Sequence, residues 1–563
     1  MKLKKEKQVV YAGDFETNNS NFAIRNRRTY VWLWDLCNVD TLEHITGNTI
    51  DEFFDVLRKF KKSTTIYFHN LKFDGSFILD YMLKKVYKNG MTALKRVGDF
   101  KTIITDLGEY YQISVRVNSK VIVKFNDSSK KIQGSVESIA KSYKLPILKG
   151  KIDYKLHREE KHNATPEEIA YIHNDTEIIA RVLKMLYDKG MTRLTSGSDT
   201  LNKYEKSVGQ EFRIHFPELP KEEDSFIRES YKGGSVIVNE KYQGRILYEN
   251  VYVFDINSSY PSVMCEADLP CGKPKKFKKK YVEDEEYPLY ICKVEVNLKL
   301  KEDHMPCIMN KEKKISGKKI EYIIDTNNDT IELYLNNVDM KLMFENYDVK
   351  EIEYQGGLKF QSSKTSFKNF ILPIYEKKCT TTGAEKQLYK IWLNALYGKF
   401  GKKPESCDKV PYLDGEVVKF KTGIVKDTKS IYTAISCFIT SYGRQKLHNA
   451  INANIEYFVY CDTDSVHLTT KYPKGIEIDD NKLGAWKLEK VYTKSKYLGQ
   501  KTYMGESEDG KLDVKIAGCQ KGVKKYITFE NFEYGNSYPG HLLTISVKGG
   551  KILVDGMFTL LEK

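Results

Sequence analysis

Asp462 and Asp464 stand one residue apart in Tyr460-Cys461-Asp462-Thr463-Asp464-Ser465, between two runs of β-forming residues, 455–460 and 466–469. The pattern predicts strand, tight turn, strand, with both acids at the tip. Residues i and i+2 of a strand point to one side, which would aim both carboxylates into a common site. Two oxygen donors suit a hard divalent cation that keeps room for substrate phosphates. Asp-Thr-Asp is also ordinary hairpin chemistry, so the tripeptide alone decides nothing. Upstream, the apolar run 251–254 ends in Asp255 and leads into Ile256-Asn257-Ser258-Ser259-Tyr260-Pro261. A strand that delivers an acid and turns into a proline-started helix presents either a metal ligand or a helix cap. Asp255 and Asp464 together could share two ions about 3.5–4 Å apart, the spacing used for in-line phosphoryl transfer.

Residues 385–401, EKQLYKIWLNALYGKFG, supply a partner for such a site. Lys386, Lys390, Asn394 and Tyr397 recur at helical spacing on one face, with Leu388, Ile391, Trp392, Ala395 and Leu396 on the other. Lysines one turn apart suit a triphosphate, and Gly398 permits close backbone approach of a base pair. A solvated lysine face is the common alternative.

A second carboxylate set lies in the first third of the chain. Residues 9–13 predict a buried strand ending in Asp14-Phe15-Glu16-Thr17, and residues 64–68 another ending in His69-Asn70-Leu71-Lys72-Phe73-Asp74. Thr165-Pro166-Glu167-Glu168 is a capping box with proline at the first helical position. In the helix it starts, Tyr171 and Asp175 share a face. Asp14, Glu16, Asp74 and Asp175 thus form a candidate second two-metal site, with water as nucleophile.

DINSSYP, KIWLNALYGKFG and YCDTDS, in that order, resemble the three polymerase motifs of family B DNA polymerases. Tyr231-Lys232-Gly233-Gly234, Thr440-Ser441-Tyr442-Gly443-Arg444 and Lys501-Thr502-Tyr503 resemble the protein-primed branch, of the phage phi-29 type. The resemblance runs from about residue 9 to the last residues. It implies an RNase H-like 3′–5′ exonuclease domain joined to a right-hand polymerase, an α/β multidomain chain. The implied boundaries are exonuclease 1–190, palm 191–266 and 428–530, fingers 366–401, thumb 531–563, and two terminal-protein-region insertions at 267–365 and 402–427.

The roles implied by resemblance are specific. Asp255, Asp464 and the Ile256 carbonyl would bind metal for synthesis, and Asp462 would assist nearby. Lys378, Lys390, Asn394, Tyr260 and Tyr397 would receive the nucleotide, the Tyr260 ring excluding a ribose 2′-hydroxyl. Asp14, Glu16 and Asp175 would hold metal for proofreading, with Asp74 completing the acids. Tyr171 would orient water and Lys149 would contact the scissile phosphate. Thr17, Asn70, Phe73 and Ser128 would hold the single strand. Tyr231, Gly233, Gly234, Arg444, Lys501 and Tyr503 would contact primer-template DNA. Where the family has Ser-Leu, this chain has Ser128-Ser129 and so lacks an apolar contact for the frayed end. Two Mg²⁺ per site, replaceable by Mn²⁺, would be the cofactors. dNTPs, DNA, a terminal priming protein and a single-stranded-DNA-binding protein would be the partners of a monomer in the host cytoplasm. Rival readings are a primer-independent polymerase of a mobile element, a nuclease with a decayed polymerase half, and a non-enzymatic replication factor.

Length and charge agree. A chain of 563 residues predicts ~3–5 domains. With 91 Lys+Arg against 76 Asp+Glu the formal charge is +15, which suits a nucleic-acid partner. Lysine clusters at 273–280 and 311–319 fit DNA backbone or solvated loops equally well. The ten cysteines show no zinc spacing and read as reduced thiols. Residues 1–7 are basic but precede too short an apolar run for a secretory signal, and no segment reads as a membrane span.

Overall fold

The computed structural model describes residues 9–85, 87–89, 94–310, 314–315, 318–319, 321–327 and 329–562. The basic stretch 1–7 lies outside them, as does most of the lysine cluster 311–319. The N-terminal unit is built on an eight-stranded mixed sheet. Its three central strands, Val9–Thr17, Thr64–Phe68 and Ile122–Asp127, are parallel. Thr64–Phe68 is buried throughout, as expected for a parallel strand covered on both faces. Val9–Thr17 is longer than its sequence suggests: Asp14 and Glu16 sit inside it, not beyond its end. The capping box at Thr165 starts helix Pro166–Asp188, with Thr165 and Glu168 bonding each other's backbone N–H. That helix lies against Val9–Thr17 and Val31–Asn38.

A five-stranded antiparallel sheet, in the order Trp486–Tyr492, Val251–Ile256, Ser465–Leu468, Phe458–Asp462, Val236–Val238, carries the second acid set. The predicted strand before Asp462 is shorter than residues 455–460, because Ile455–Tyr457 forms a 3₁₀ turn. Helix Thr433–Ala453 packs on it, and the short helix Ser259–Glu266 packs against that helix. Residues 385–401 form helix Gly383–Ala395 and a final turn, Tyr397–Phe400. Leu388 and Trp392 are buried, as their spacing requires.

Residues 267–365 contain a separate four-stranded sheet, Leu269–Phe277, Tyr347–Ser363, Leu289–Leu300 and Ile331–Asn336, with helix Asn337–Asn346. Residues 402–427 hold the hairpin Glu405–Asp414/Val417–Asp427. The last hairpin pairs Ser537–Val547 with Gly550–Thr559. Lys548-Gly549 makes its turn, Gly550 already pairing with Val547, and Pro539-Gly540 is a register irregularity within the first strand. Tyr538 and Leu560, at the hairpin base, join a core with Met504, Phe529 and Phe532. At the tip, Thr29 N–H donates to the Lys548 carbonyl (2.9 Å) and Gly549 N–H to Asp80 (3.3 Å). A Cβ on Gly549 would sit 1.9 Å from the Thr29 carbonyl oxygen, so only glycine fits there. Among the described residues no helix is long and apolar enough to cross a membrane, and all ten cysteines are free thiols.

Two candidate active sites

Strand pairing sets Asp255 opposite Ser465, and Ile256 N–H donates to the Asp464 carbonyl (2.9 Å). Asp464 thereby arrives beside Asp255. Both line a cleft of ≈ 660 Å³ shared with Ile256, Tyr260, Lys378, Lys390, Asn394 and Tyr397. Burial, then the Asp464 charge, pushes Asp255 up to about 7. Burial, then the Asp462 charge, pushes Asp464 up to about 6. Lys378 donates to the Ser258 hydroxyl (3.0 Å), and burial lowers its pKa. The Tyr260 and Tyr397 rings lie 4.4 Å apart at 54°. Gly443 leaves room for this pair, since a Cβ there would meet Tyr260 at 3.2 Å. Lys487, 4.0 Å from Asp255, and Glu489 also line the cleft. The sequence pattern gave no warning of either, because strand Trp486–Tyr492 meets Asp255 only through pairing with a segment more than 200 residues upstream.

Asp462 does not join Asp464 there. Thr463 adopts a left-handed conformation (φ 59°), which ends the strand alternation on which a shared face depended. The Asp462 carboxylate instead pairs with Lys501 at 2.7 and 2.8 Å. The tight turn is held from outside: Thr463 N–H donates to the Ser235 carbonyl (2.8 Å). A Cβ on Gly234 would lie 2.8 Å from Thr463 Cγ2 and 3.0 Å from its Cα, so that glycine lets the two backbones touch.

Arg444 departs from the expected DNA contact. It is 2% exposed and binds both oxygens of Asp339, at 2.8 and 2.6 Å. It also donates to the carbonyls of Lys232 (3.2 Å) and Gly233 (2.6 Å), so it anchors the Tyr231–Gly234 loop from beneath. Tyr231 is half-buried, its hydroxyl close under Gly401, whereas Gly233 is open. Tyr503 is half-buried, its ring stacked on Tyr497 (5.4 Å, 23°).

The N-terminal cleft, ≈ 730 Å³, is lined by Asp14, Glu16, Asp74 and Asp175 with Thr17, Asn70, Phe73, Lys149 and Tyr171. Burial, then Asp175, pushes Asp14 up to about 7. Glu16 and Asp74 are raised well above the ordinary carboxylate range, burial again leading and the Asp14 charge next. Lys149 forms an ion pair with Asp175. Asn70 has a left-handed backbone (φ 72°), and its N–H donates to Asp127 (3.2 Å). Ser128, expected to hold DNA, is fully buried. His69 donates to the Gly134 carbonyl (2.8 Å), so its other nitrogen accepts the Ser128 hydroxyl (2.9 Å). Ser128 therefore touches His69 rather than the open cleft, and His69 is a cleft residue that sequence reasoning passed over. Tyr154 was also missed. Its hydroxyl lies 2.5 Å from that of Tyr171, and a single tyrosine in a loop carries no periodic signal. Lys72, on helix Leu71–Lys84, and Lys551, on the last hairpin, join the cleft.

Both donor sets fit hard divalent cations. Their donors are oxygens, which such ions prefer. Buried carboxylates that repel one another are relieved by a cation, and Asp175 Oδ1 is buried with no hydrogen-bond partner. Neither set packs three donor residues within 4.8 Å of one another, so each is an open site.

Residues 57–165 and 156–482 match the family described as DNA polymerase type B, organellar and viral, and the chain belongs to that family. Divalent-metal use follows from membership. Within the family its likeness is to the phi29 type. It is 38% identical over 578 residues to the DNA polymerase of Bacillus phage Nf, covering 98% of this chain and 99% of that one. The structure of phi29 DNA polymerase with primer-template DNA and incoming nucleotide superposes with a TM-score of 0.92 at 36% identity, covering 98% and 100% of the two chains. The same polymerase complexed with single-stranded DNA gives 0.91, with equal identity and coverage.

Proposed function

We propose that this DNA polymerase replicates a linear phage-type genome by protein-primed, processive, strand-displacing synthesis, and proofreads with a 3′–5′ exonuclease in its N-terminal unit. The observation that carries the reading is a pair of carboxylate clefts on two separate sheets. Two Mg²⁺ ions bound at each set would lower the pKa of the attacking hydroxyl or water and neutralise charge on the departing group. Asp255 and Asp464, with the Ile256 carbonyl, would hold them for synthesis; Asp14, Glu16 and Asp175, aided by Asp74, would hold them for hydrolysis. Lys378 and Lys390 neutralise the triphosphate, and Asn394 continues their face. The Tyr260–Tyr397 pair walls the sugar pocket. Lys501, held by Asp462, is placed for the primer end, and Tyr171 with Tyr154 orients the hydrolytic water while Lys149 meets the phosphate. Thr17, Asn70 and Phe73 grip the frayed strand.

The domain limits proposed are those stated above. The insertion at 267–365 supports the priming protein. The hairpin within 402–427 closes a path around DNA, supported by its reach to the N-terminal unit at Asp408–Thr105 and to the last hairpin through Glu416–Lys548. The partners are primer-template and single-stranded DNA, dNTPs, a terminal protein and a single-stranded-DNA-binding protein. The enzyme works as a monomer in the host cytoplasm. The test is extension of a primer on a single-stranded circle with Mg²⁺ and dNTPs alone. Products many circles long are expected. Products ending at one circle would remove displacement, and synthesis on an unprimed template without added protein would favour a primer-independent mobile-element enzyme.

A further inference from the structure

The N-terminal sheet also carries a donor cluster of different chemistry. Asp35, on strand Val31–Asn38, is completely buried one strand outward from Asp14. His44 Nδ1 lies 2.8 Å from one of its oxygens, and His173 Nε2 lies 3.4 Å from the other. The three donor atoms fall within 4.8 Å of one another, and among the described residues no other group of three His, Cys, Asp or Glu does so. None of the three lines the catalytic cleft. The carboxylate is braced by two hydroxyls, Thr46 at 2.8 Å and Thr176 at 2.6 Å. The Thr46 hydroxyl also lies 2.8 Å from His173 Nε2, so an ion at this nitrogen would displace that hydrogen bond. The imidazoles stack 3.9 Å apart at 18°.

The geometry points to a binding site for a transition-metal ion of the Zn²⁺ class, held by Asp35, His44 and His173. Two imidazoles and one carboxylate are ligands of Zn²⁺-type ions at about 2.0–2.2 Å. Hard Mg²⁺ prefers the all-oxygen clefts, so the two kinds of ion sort by donor chemistry. Thr46 and Thr176 supply the outer hydrogen bonds that orient a ligating carboxylate. The imidazole side chains are 18% and 29% exposed, which leaves an entry path and a fourth position for water. His44 lies on the hairpin strand His44–Gly47 and His173 on helix Pro166–Asp188. A bound ion therefore clamps that hairpin to the helix that carries Tyr171 and Asp175 into the cleft.

The test titrates Co²⁺ into the full, metal-stripped chain under saturating Mg²⁺, reading visible d–d absorption, then displaces it with Zn²⁺. One equivalent with a nitrogen-ligated spectrum is expected, with a Zn²⁺-dependent rise in melting temperature. His44→Gln/His173→Gln should lose both signals, and Thr176→Val should weaken binding about 10–100-fold. The single His44→Gln, on a partly exposed edge, reads the same loss if the double variant does not fold. No spectrum in the wild-type chain, or an unchanged one in the His44 variant, would overturn the assignment.

Discussion

Replacing Arg444 with Met distinguishes an internal anchor from a DNA contact. The guanidinium is buried against Asp339, also buried, and spends further donors on Ser441 and on two loop carbonyls. Removing one partner of a buried ion pair costs about 3–5 kcal/mol, because the other charge stays buried and unpaired. The freed Lys232 and Gly233 carbonyls can reach water in the open loop, so they add little. The expected loss is thus about 4 kcal/mol, read as a shift of the urea transition. Asp339→Asn should cost a similar amount. The double variant Arg444→Met/Asp339→Leu should lose less than the sum by at least about 2 kcal/mol, as groups in one network do. Primer-template affinity should also fall, since the Tyr231–Gly234 loop is freed, but with an unchanged salt slope. A residue that neutralises a phosphate changes that slope by about 1. Unchanged stability together with a smaller salt slope would refute the anchor and restore a direct contact.

Asp464→Ala should abolish primer extension by at least about 10²–10³-fold while sparing single-strand degradation, and Asp14→Ala should do the reverse; equal loss of both activities in either variant would contradict two separate sites. Asp255→Asn should stabilise the chelator-treated protein at pH 8. Its folded pKa, about 7, lies above the ordinary carboxylate value, so ionisation costs stability as pH rises from about 4 to 7 and the penalty then levels off. That penalty is about 4 kcal/mol before solvent screening and about 2 after it. Melting curves of the two proteins should therefore diverge at pH 8 and converge near pH 4. Gly234→Ala forces its Cβ onto the Thr463 backbone, and the displaced hairpin should slow synthesis about 100-fold with degradation unaffected.

Elements with strong local signals were legible in the sequence. The capping box at Thr165, the amphipathic spacing of residues 385–401 and the apolar runs before Asp14 and Asp255 all follow from local rules, and they place most of the cleft residues. Failures occur where backbone conformation or a distant segment decides. The left-handed Thr463 turned Asp462 away from Asp464, and no pattern of side-chain types encodes that angle. The burial of Arg444 depends on Asp339, which is 105 residues away. Ser128, expected to hold the single strand, is buried against His69, 59 residues away. Lys487, Tyr154 and Lys551 enter their clefts by tertiary placement alone.

The last hairpin is anchored at both ends, its base in the Met504–Phe532 core and its Gly549-Gly550 tip against Thr29 and Asp80. With strands of 11 and 10 residues it spans about 35 Å, and so behaves as a beam supported at two points. A beam of fixed length keeps its two supports at a fixed separation. Lys551 and Leu553, near the tip, already line the N-terminal cleft. On the proposed reading, the distance a primer end travels from synthesis to editing is therefore built into the fold as a ruler. The number of nucleotides that must unpair before excision is then a constant of the enzyme, unaffected by the sequence being copied.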